Sequence, residues 1–455
     1  MELEGKPALV VGLARSGIAA ARFLAGRGAH VVATDRKPAN ELPEEALSLA
    51  RQGVVLELGA HPAAAFTRAS MVVVSPGVPW DMPELTAARR AGVPVMAELE
   101  LAYRNLVGIV AAVTGTKGKS TTTAALGAML GAAGLDARVG GNIGEPLVGL
   151  LEGAQPSTVF AVEASSFQLE GIETFRPKVA VFLNLSADHL DRHASFEEYA
   201  RAKARIFRNQ TAEDWAVVNA DDPGVLELAA AGKARQLLFS PVGRLRGDGA
   251  FFEEGQAVLR LDGRTESLFD RSHARVPGPH LAGDLLAAAA AARLLGAPAT
   301  AIARAVREFR GVEHVLELVA EVQGVRFFND SKATNVDAAR KSLQAFDGPV
   351  VAILGGRYKG GDFRDLGDVA AARCKTVLAI GEARDRIATS LGSIVPVVRC
   401  ASLEEAVTRG YAAAVPGDTV VLAPACSSFD MFRDYADRGR AFKEAVRRLA
   451  TREQA

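Results

Sequence analysis

Residues 109–123 read IVAAVTGTKGKSTTT. A short apolar run, 109–113, stops at Thr114-Gly115-Thr116-Lys117-Gly118-Lys119-Ser120-Thr121, and helix-forming residues follow over 124–133. The pattern predicts strand, glycine loop, helix. Such a loop aims backbone N–H groups at a phosphate, and the helix start adds partial positive charge. Lys119 then reaches the β- and γ-phosphates, and the Ser120 hydroxyl holds Mg²⁺. The longer pattern G-x-x-x-x-G-K-[ST] wants glycine at 113, where this chain has Val113. What stands is a shorter G-T-x-G-K-S-T loop. The plain alternative is an ordinary glycine-rich turn. Lys-Ser-Thr directly after glycine, at the end of an apolar strand, favours a nucleotide phosphate site.

The same grammar recurs on both sides. Residues 8–11 predict a strand, Gly12-Leu13-Ala14-Arg15-Ser16-Gly17 a turn, 18–26 a helix, and 31–34 a second strand ending at Asp35. This is similar to a dinucleotide fingerprint, with an acid about twenty residues after the glycines. Ala14 stands where the middle glycine of GxGxxG belongs, which weakens an NAD reading. A nucleotide diphosphate and a bare turn remain open here. Residues 72–74 predict a strand entering Ser75-Pro76-Gly77, a turn or the second wall of the same pocket.

Within 105–311, Gly140-Gly141-Asn142-Ile143-Gly144 is a second glycine cluster. Strand 159–162 leads to Glu163, and strand 180–183 to a segment holding Asp188, His189 and Asp191. An acid at the carboxyl end of an α/β strand stands where ligands bind. His189 between acids suits a metal–nucleotide site, whereas His193 reads as a surface or loop residue. A helix over 196–208 carries Arg201, Lys203 and Arg205, which charge alone reads as a solvated face. Residues 236–276 predict a small antiparallel sheet, and 285–295 an alanine-rich packing helix. From 312 onward a third α/β unit is expected. Its strand ends carry Asp330, Lys332, Thr334, Lys359, Ser428 and Cys426. Singly, Lys332 and Lys359 read as surface lysines, and Cys426 lacks a histidine near in sequence.

Composition excludes several classes. The 455 residues suggest about three domains. Fifty-three basic and 53 acidic residues cancel, which argues against a nucleic-acid or membrane-surface partner. No apolar run approaches the ~20 residues of a membrane span, and the N-terminus does not read as a signal peptide. Cys374, Cys400 and Cys426 are far apart, so a reduced, cytoplasmic setting is expected, with no cysteine metal site.

Taken in order, GTKGKST (115–121), GGNIG (140–144), EASSFQLE (163–170), NLSADHLDRHASFEEYARAK (184–203), NDSKATN (329–335) and PACSSFDMFRDYADRGRAF (424–442) resemble the Mur ligases, ATP-dependent amide ligases of peptidoglycan precursor synthesis. The short N-terminal unit is most similar to the branch that adds D-glutamate to UDP-N-acetylmuramoyl-L-alanine. The resemblance implies three domains: a Rossmann-like unit over 1–104, a P-loop ATPase-like unit over 105–311 and a Rossmann-like unit over 312–455. It implies ATP phosphates on Gly115, Thr116, Lys117, Gly118, Lys119, Ser120 and Thr121, with Asp284 and Asp330 as further nucleotide contacts. Two Mg²⁺ ions are implied, served by Ser120, Glu163, His189 and Lys203. Lys203 matches the family lysine that CO₂ converts to a carbamate, an oxygen ligand of the kind Mg²⁺ prefers. Arg15, Ser16, Asp35, Arg36, Ser75, Gly77 and Asn142 fall on the UDP-substrate. Thr334, Lys359, Ser428 and Tyr435 fall on D-glutamate, and Lys332 beside the transferred phosphoryl group. The catalytic set implied is Lys119, His189, Lys203 and Lys332. Closure of the C-terminal unit and a monomeric enzyme are expected.

The chain departs from the family pattern at three places. Val315 follows His314 where arginine is usual. His280-Leu281-Ala282-Gly283-Asp284 replaces His-Asn-x-x-Asn, and Arg357 stands in Gly355-Gly356-Arg357-Tyr358-Lys359. Competing readings are a ligase with another acceptor, such as a folylpolyglutamate synthase or an L-alanine-adding enzyme, and a non-catalytic nucleotide-binding protein.

Overall fold

A computed structural model of the chain describes residues 1–186, 188, 192–274 and 279–454. It contains three sheets in two compact units. One unit comprises Met1–Asp270 with Gly283–Ala305, the other Arg271–Ala282 with Val306–Ala455.

The first sheet is all parallel, in the spatial order Val55–Leu58, His30–Asp35, Pro7–Val11, Met71–Val74, Val95–Ala97. Strand order reverses between Pro7–Val11 and Met71–Val74, and ligands of such sheets bind at that point beyond the carboxyl ends. Those ends are Gly12 and Ser75. The Ser75 amide donates to the Val11 carbonyl. Gly12 has φ +87°, and a Cβ there would sit 3.0 Å from the Ser75 Cβ. At Gly17 a Cβ would overlap the Gly12 carbonyl oxygen, so the turn and the helix Arg15–Gly26 pack backbone to backbone.

The second sheet has nine strands: Arg264–Asp270, Gln256–Leu261, Gly249–Glu253, Arg235–Ser240, Trp215–Asn219, Val179–Phe182, Ile109–Thr114, Val159–Glu163 and Ala137–Gly141. The strands from Gly249–Glu253 to Ala137–Gly141 pair in parallel. Gly249–Glu253, Gln256–Leu261 and Arg264–Asp270 pair antiparallel. The antiparallel strands expected over 236–276 therefore extend the main sheet, and Arg235–Ser240 belongs to its parallel part. Ile109–Thr114 lies deep in the sheet and is apolar without alternation, as burial on both faces requires.

The first two sheets share one apolar core, running from Val10 and Leu24 to Ala112, Phe160 and Phe182. Two buried acids lie in the helix Glu98–Asn105 of this unit. Glu100 accepts from the Glu173, Thr174 and Phe175 amides, the Thr174 hydroxyl and Arg104. Glu98 accepts from the Val148 amide at 2.7 Å through one oxygen, and its other oxygen has no hydrogen-bond partner among the described residues. Burial pushes the Glu98 carboxyl up to about 7, with the Val148 amide opposing and Glu145 adding to the rise.

The third sheet runs Glu317–Val322, Val325–Asn329, Thr419–Leu422, Val350–Gly355, Cys374–Ile380, Val397–Arg399, with only the first strand antiparallel. Alternate residues feed its two faces. Phe328, Val350, Ala352 and Leu354 enter one core, and Phe327, Val351 and Ile353 the other.

Candidate functional site

The phosphate loop follows Ile109–Thr114 at its carboxyl end. Gly118, at φ +83°, is the residue before the helix Lys119–Ala132, which starts five residues earlier than the helix-forming pattern alone suggests. A Cβ on Gly118 would overlap the Asp284 carboxylate, so Asp284 packs directly beneath the loop. Burial raises the Asp284 carboxyl well above its usual range, and the Lys119 ammonium pulls it back. Neither Gly118 nor Ala14, the residues preceding the two loop helices, caps its helix with a side chain. Ser165, Ser195, Asn335 and Ser402 do cap theirs. The loop helices thus leave first-turn amides for something else.

Two of the three lysines expected in the catalytic set converge on one carbonyl. Lys119 Nζ donates to the Gly115 and Thr116 carbonyls at 3.0 and 2.8 Å, and Lys203 Nζ donates to the same Gly115 carbonyl at 2.7 Å. Lys203 is only 2% exposed, so the solvated face read from charge is wrong for this residue. Its helix, Phe196–Ala204, lays the Tyr199 and Lys203 turns over the loop. Burial first, then the Lys119 charge, push the Lys203 ammonium down to about 7, with Asp188 and Glu163 opposing. Its Nζ lies 4.7 Å from the centre of the Tyr199 ring.

Glu163 ends the neighbouring strand and is buried. Ser120 Oγ donates to one of its oxygens at 2.6 Å, and Asn142 Nδ2 to the other at 2.6 Å. The structure therefore joins Ser120, Glu163 and Asn142 in one cluster. Asn142 stands with these residues rather than with Arg15, Ser16, Asp35 and Arg36 of the first loop. His189, expected to be a catalytic and metal-binding residue, lies outside the described residues.

In the first loop, Asp35 takes the Leu13 amide at 2.7 Å and the Lys37 amide at 2.9 Å. Ser75 and Gly77 stand across the switch point. Arg192 donates to the Gly77 and Val78 carbonyls at 2.8 and 3.2 Å and lies over the Phe167 ring.

In the other unit, Asp330, Lys332 and Thr334 follow one strand, Lys359 another and Ser428 a third. Asp330 is buried, takes the Leu316 amide, and is pushed up to about 6 by burial. Lys332 is exposed, in keeping with its isolated reading. Lys359 lies over the Phe429 ring, and Tyr435 begins the helix Tyr435–Gln454. Cys426 is buried with its thiol pushed up to about 12 by burial, which fits no nucleophilic role.

Sequence reasoning missed several residues. His193 is 2% exposed rather than a surface residue; it bonds Ser166 Oγ at 3.0 Å and stacks on Phe167, because an aromatic neighbour covers each side. Tyr199 bonds the Thr116 hydroxyl at 3.0 Å, and burial pushes its phenol up to about 12. The signal was its place four residues before Lys203. Asn184 holds both the N–H and the C=O of Lys117, and no local pattern betrays that.

The chain is similar to known proteins along nearly its whole length. The chain matches the MurD-like N-terminal domain of Mur ligases over residues 6–97, the Mur ligase middle domain over 113–292, and the Mur ligase glutamate ligase domain over 316–426. It is 48% identical to a UDP-N-acetylmuramoylalanine--D-glutamate ligase of Acidobacterium capsulatum, over 98% of this chain and 97% of that one. It is 46% identical to the protein of that name from Geotalea daltonii, over 99% of each chain. Among solved structures, UDP-N-acetylmuramate-alanine ligase from Thermotoga maritima superposes with a TM-score of 0.59 at 21% identity, covering 98% of this chain and all, 100%, of that one. A pseudomurein peptide ligase type C from Methanothermus fervidus gives 0.54 at 18%, covering 98% and 100%; both show the shared fold. With the phosphate loop, its partner acid and buried lysine in place, and matches along nearly its whole length, the chain belongs to the Mur ligase family.

Proposed function

We propose that the chain is an ADP-forming acid–amino-acid ligase that joins D-glutamate to UDP-N-acetylmuramoyl-L-alanine in peptidoglycan precursor synthesis. Support comes from relatives of that name at 43–48% identity over 98% or more of this chain. The observation that carries the chemistry is the Ser120–Glu163–Asn142 chain beside a loop carbonyl on which Lys119 and Lys203 converge.

A carboxylate is a poor electrophile, so it needs a better leaving group. Loop residues 115–121 bind the phosphates of ATP, with Asp284 and Asp330 as further nucleotide contacts. The L-alanyl carboxylate forms a bond to the γ-phosphorus as the bond to ADP breaks, giving an acyl phosphate. Lys119 leaves its carbonyls to meet the phosphates, and Lys332 neutralises charge on the transferred group. The D-glutamate amine then attacks the acyl carbon, loses a proton and expels phosphate. Arg15, Ser16, Asp35, Arg36, Ser75 and Gly77 hold the UDP end, and Asn142 faces the muramoyl group. Thr334, Lys359, Ser428 and Tyr435 hold D-glutamate.

Ser120 and Glu163 offer hard oxygen donors that suit Mg²⁺, with His189 as a further ligand. A bare lysine ammonium suits no cation. The lowered Lys203 supplies free amine near neutral pH; it adds CO₂, forming an N–C bond and releasing a proton, and the carbamate completes the donor set. Bound Mg²⁺ supplies neutralisation of the charge that builds on the transferred phosphoryl group. The three functional parts are 1–104, 105–311 and 312–455, in a monomer acting in the cytoplasm. Among the described residues no helix is long and apolar enough to cross a membrane.

The test is ADP release with ATP, UDP-N-acetylmuramoyl-L-alanine and a panel of amino acids. Release with D-glutamate and not L-glutamate is expected. Release only with another acceptor, or ATP binding without release, overturns the proposal.

A further inference from the structure

The helix Tyr435–Gln454 carries a charge that the mechanism above does not use. Arg438 is 1% exposed. Its Nε donates to Ser331 Oγ at 3.0 Å and one Nη to the Ser331 carbonyl at 2.9 Å. The other Nη donates to the Cys426 carbonyl at 3.1 Å and the Gly355 carbonyl at 3.5 Å. Among the described residues it hydrogen-bonds no carboxylate; Asp430 acts on it only through its field. Burial lowers the guanidinium to about 10, so it stays charged at neutral pH.

A buried guanidinium without a paired carboxylate is expensive, and it persists only where each of its nitrogens finds an acceptor. Here they are used on three different strand ends. Ser331 follows Val325–Asn329, Gly355 closes Val350–Gly355, and Cys426 follows Thr419–Leu422. The rigid fork of arginine can span three such carbonyls, whereas the point charge of lysine cannot. The same loops are knitted above it: the Ala425 amide donates to the Ala333 carbonyl, and Arg357 and Ser427 exchange backbone bonds. A Cβ on Gly356 would overlap the Ser427 carbonyl oxygen and lie 3.1 Å from an Arg438 Nη, so that glycine lets the two loops and the fork pack together. Ser331 Oγ passes the link on to the Tyr435 carbonyl at 2.7 Å. Each loop carries one group assigned above to the amino acid: Thr334, Lys359 and Ser428, with Tyr435 at the helix start.

We propose that Arg438 is the positioning residue of the amino-acid site, setting the spacing of the loops that bear Thr334, Lys359 and Ser428 from below. The assignment of those loops to the acceptor rests on the function proposed above. Asp330 has its own anchors, its N–H on the Leu422 carbonyl and its carboxylate on the Leu316 amide, so it is held apart from this fork.

The test compares Arg438→Lys and Arg438→Met with the unaltered full-length protein. In both variants the KM for D-glutamate should rise about tenfold or more, while the KM for the UDP-substrate stays within about twofold. Arg438→Lys keeps the buried charge, so it remains informative if Arg438→Met does not fold. A fall in Tm with an unchanged D-glutamate KM, or an equal rise in both KM values, overturns the proposal. If the unaltered protein uses another acceptor, the function proposed above fails, and the same comparison made with that acceptor decides the role of Arg438. No turnover with any acceptor overturns both.

Discussion

Two glycine loops in one unit start from the same backbone plan and end with opposite chemistry. In 12–17 and in 115–118 a buried parallel strand turns through a positive-φ glycine into a helix without a side-chain cap. In the first, an acid, Asp35, takes a loop amide, and among the described residues no lysine is hydrogen-bonded to the carbonyls of the turn. In the second, two lysines lie on the loop carbonyls. An acid beside free amides suits hydroxyls and amide-bound ligands, whereas paired cations suit a transferring phosphate. Turn geometry makes an anion site possible; the side chains leaning on it decide which anion and which reaction.

The largest expected break is Lys203→Ala. It should cost at least about 10²-fold in kcat, leave the first loop intact, and recover with a short carboxylic acid. Bicarbonate should stimulate the unaltered enzyme alone. Full activity of the variant without rescue would refute the carbamate.

Next, Gly17→Ala pushes a methyl into the Gly12 carbonyl, a backbone atom that cannot swing away. About 3 kcal/mol of stability should be lost, read by urea unfolding. Gly131, in the phosphate-loop helix, has open space around it; Gly131→Ala should instead gain about 0.5–1 kcal/mol.

Glu98 tests the core that the two sheets share. Its folded pKa lies above the ordinary 4.5, at about 7. The stability it contributes is thus complete below 4.5 and is lost as pH rises towards about 7. Glu98→Gln should therefore stabilise the protein above about pH 7, by on the order of 3–4 kcal/mol at about 1.4 kcal/mol per pH unit, and have no such effect in acid. An equal shift in Tm at both ends of the range would exclude a raised carboxyl.

Gly118→Ala meets a side chain rather than backbone. It should cost about 2 kcal/mol and raise the KM for ATP. Asp284→Ala in the same chain should recover about half, because the clash goes and the positive φ remains. The smallest effect belongs to Asp35→Ala, which should raise the KM for the UDP-substrate about tenfold without moving that for ATP. If ATP suffers equally, the two loops are not separate sites.

The sequence was most readable where chemistry and local structure coincide. Lys119 and Ser120 follow glycine at a strand end, so their place is fixed by four or five neighbouring residues. Glu163 was visible for the same reason. Lys203 was not: its helix reads as a charged face, and only the resemblance to a family marked it. What buries it is Tyr199 and the Gly115 carbonyl, which lies 88 residues away. His193 reads as a loop residue, because the aromatic rings that enclose it belong to Phe167 and Tyr199, on other elements. The extended antiparallel edge of the second sheet is similar: alternation predicts strands but not which strand they join.

By itself, the sequence determined the strand–loop–helix units, the phosphate loop, and the place of Lys119, Ser120 and Glu163 at strand ends. Short-range sterics and hydrophobic period suffice for these, since glycine, proline and apolar runs act on their immediate neighbours. Only the tertiary structure decided that Lys203 is buried and lowered, that Asn142 sits on Glu163, and that Arg438 underlies three strand ends. Those facts depend on desolvation and on hydrogen bonds between segments far apart in the chain, and both exist only once the sheets have packed.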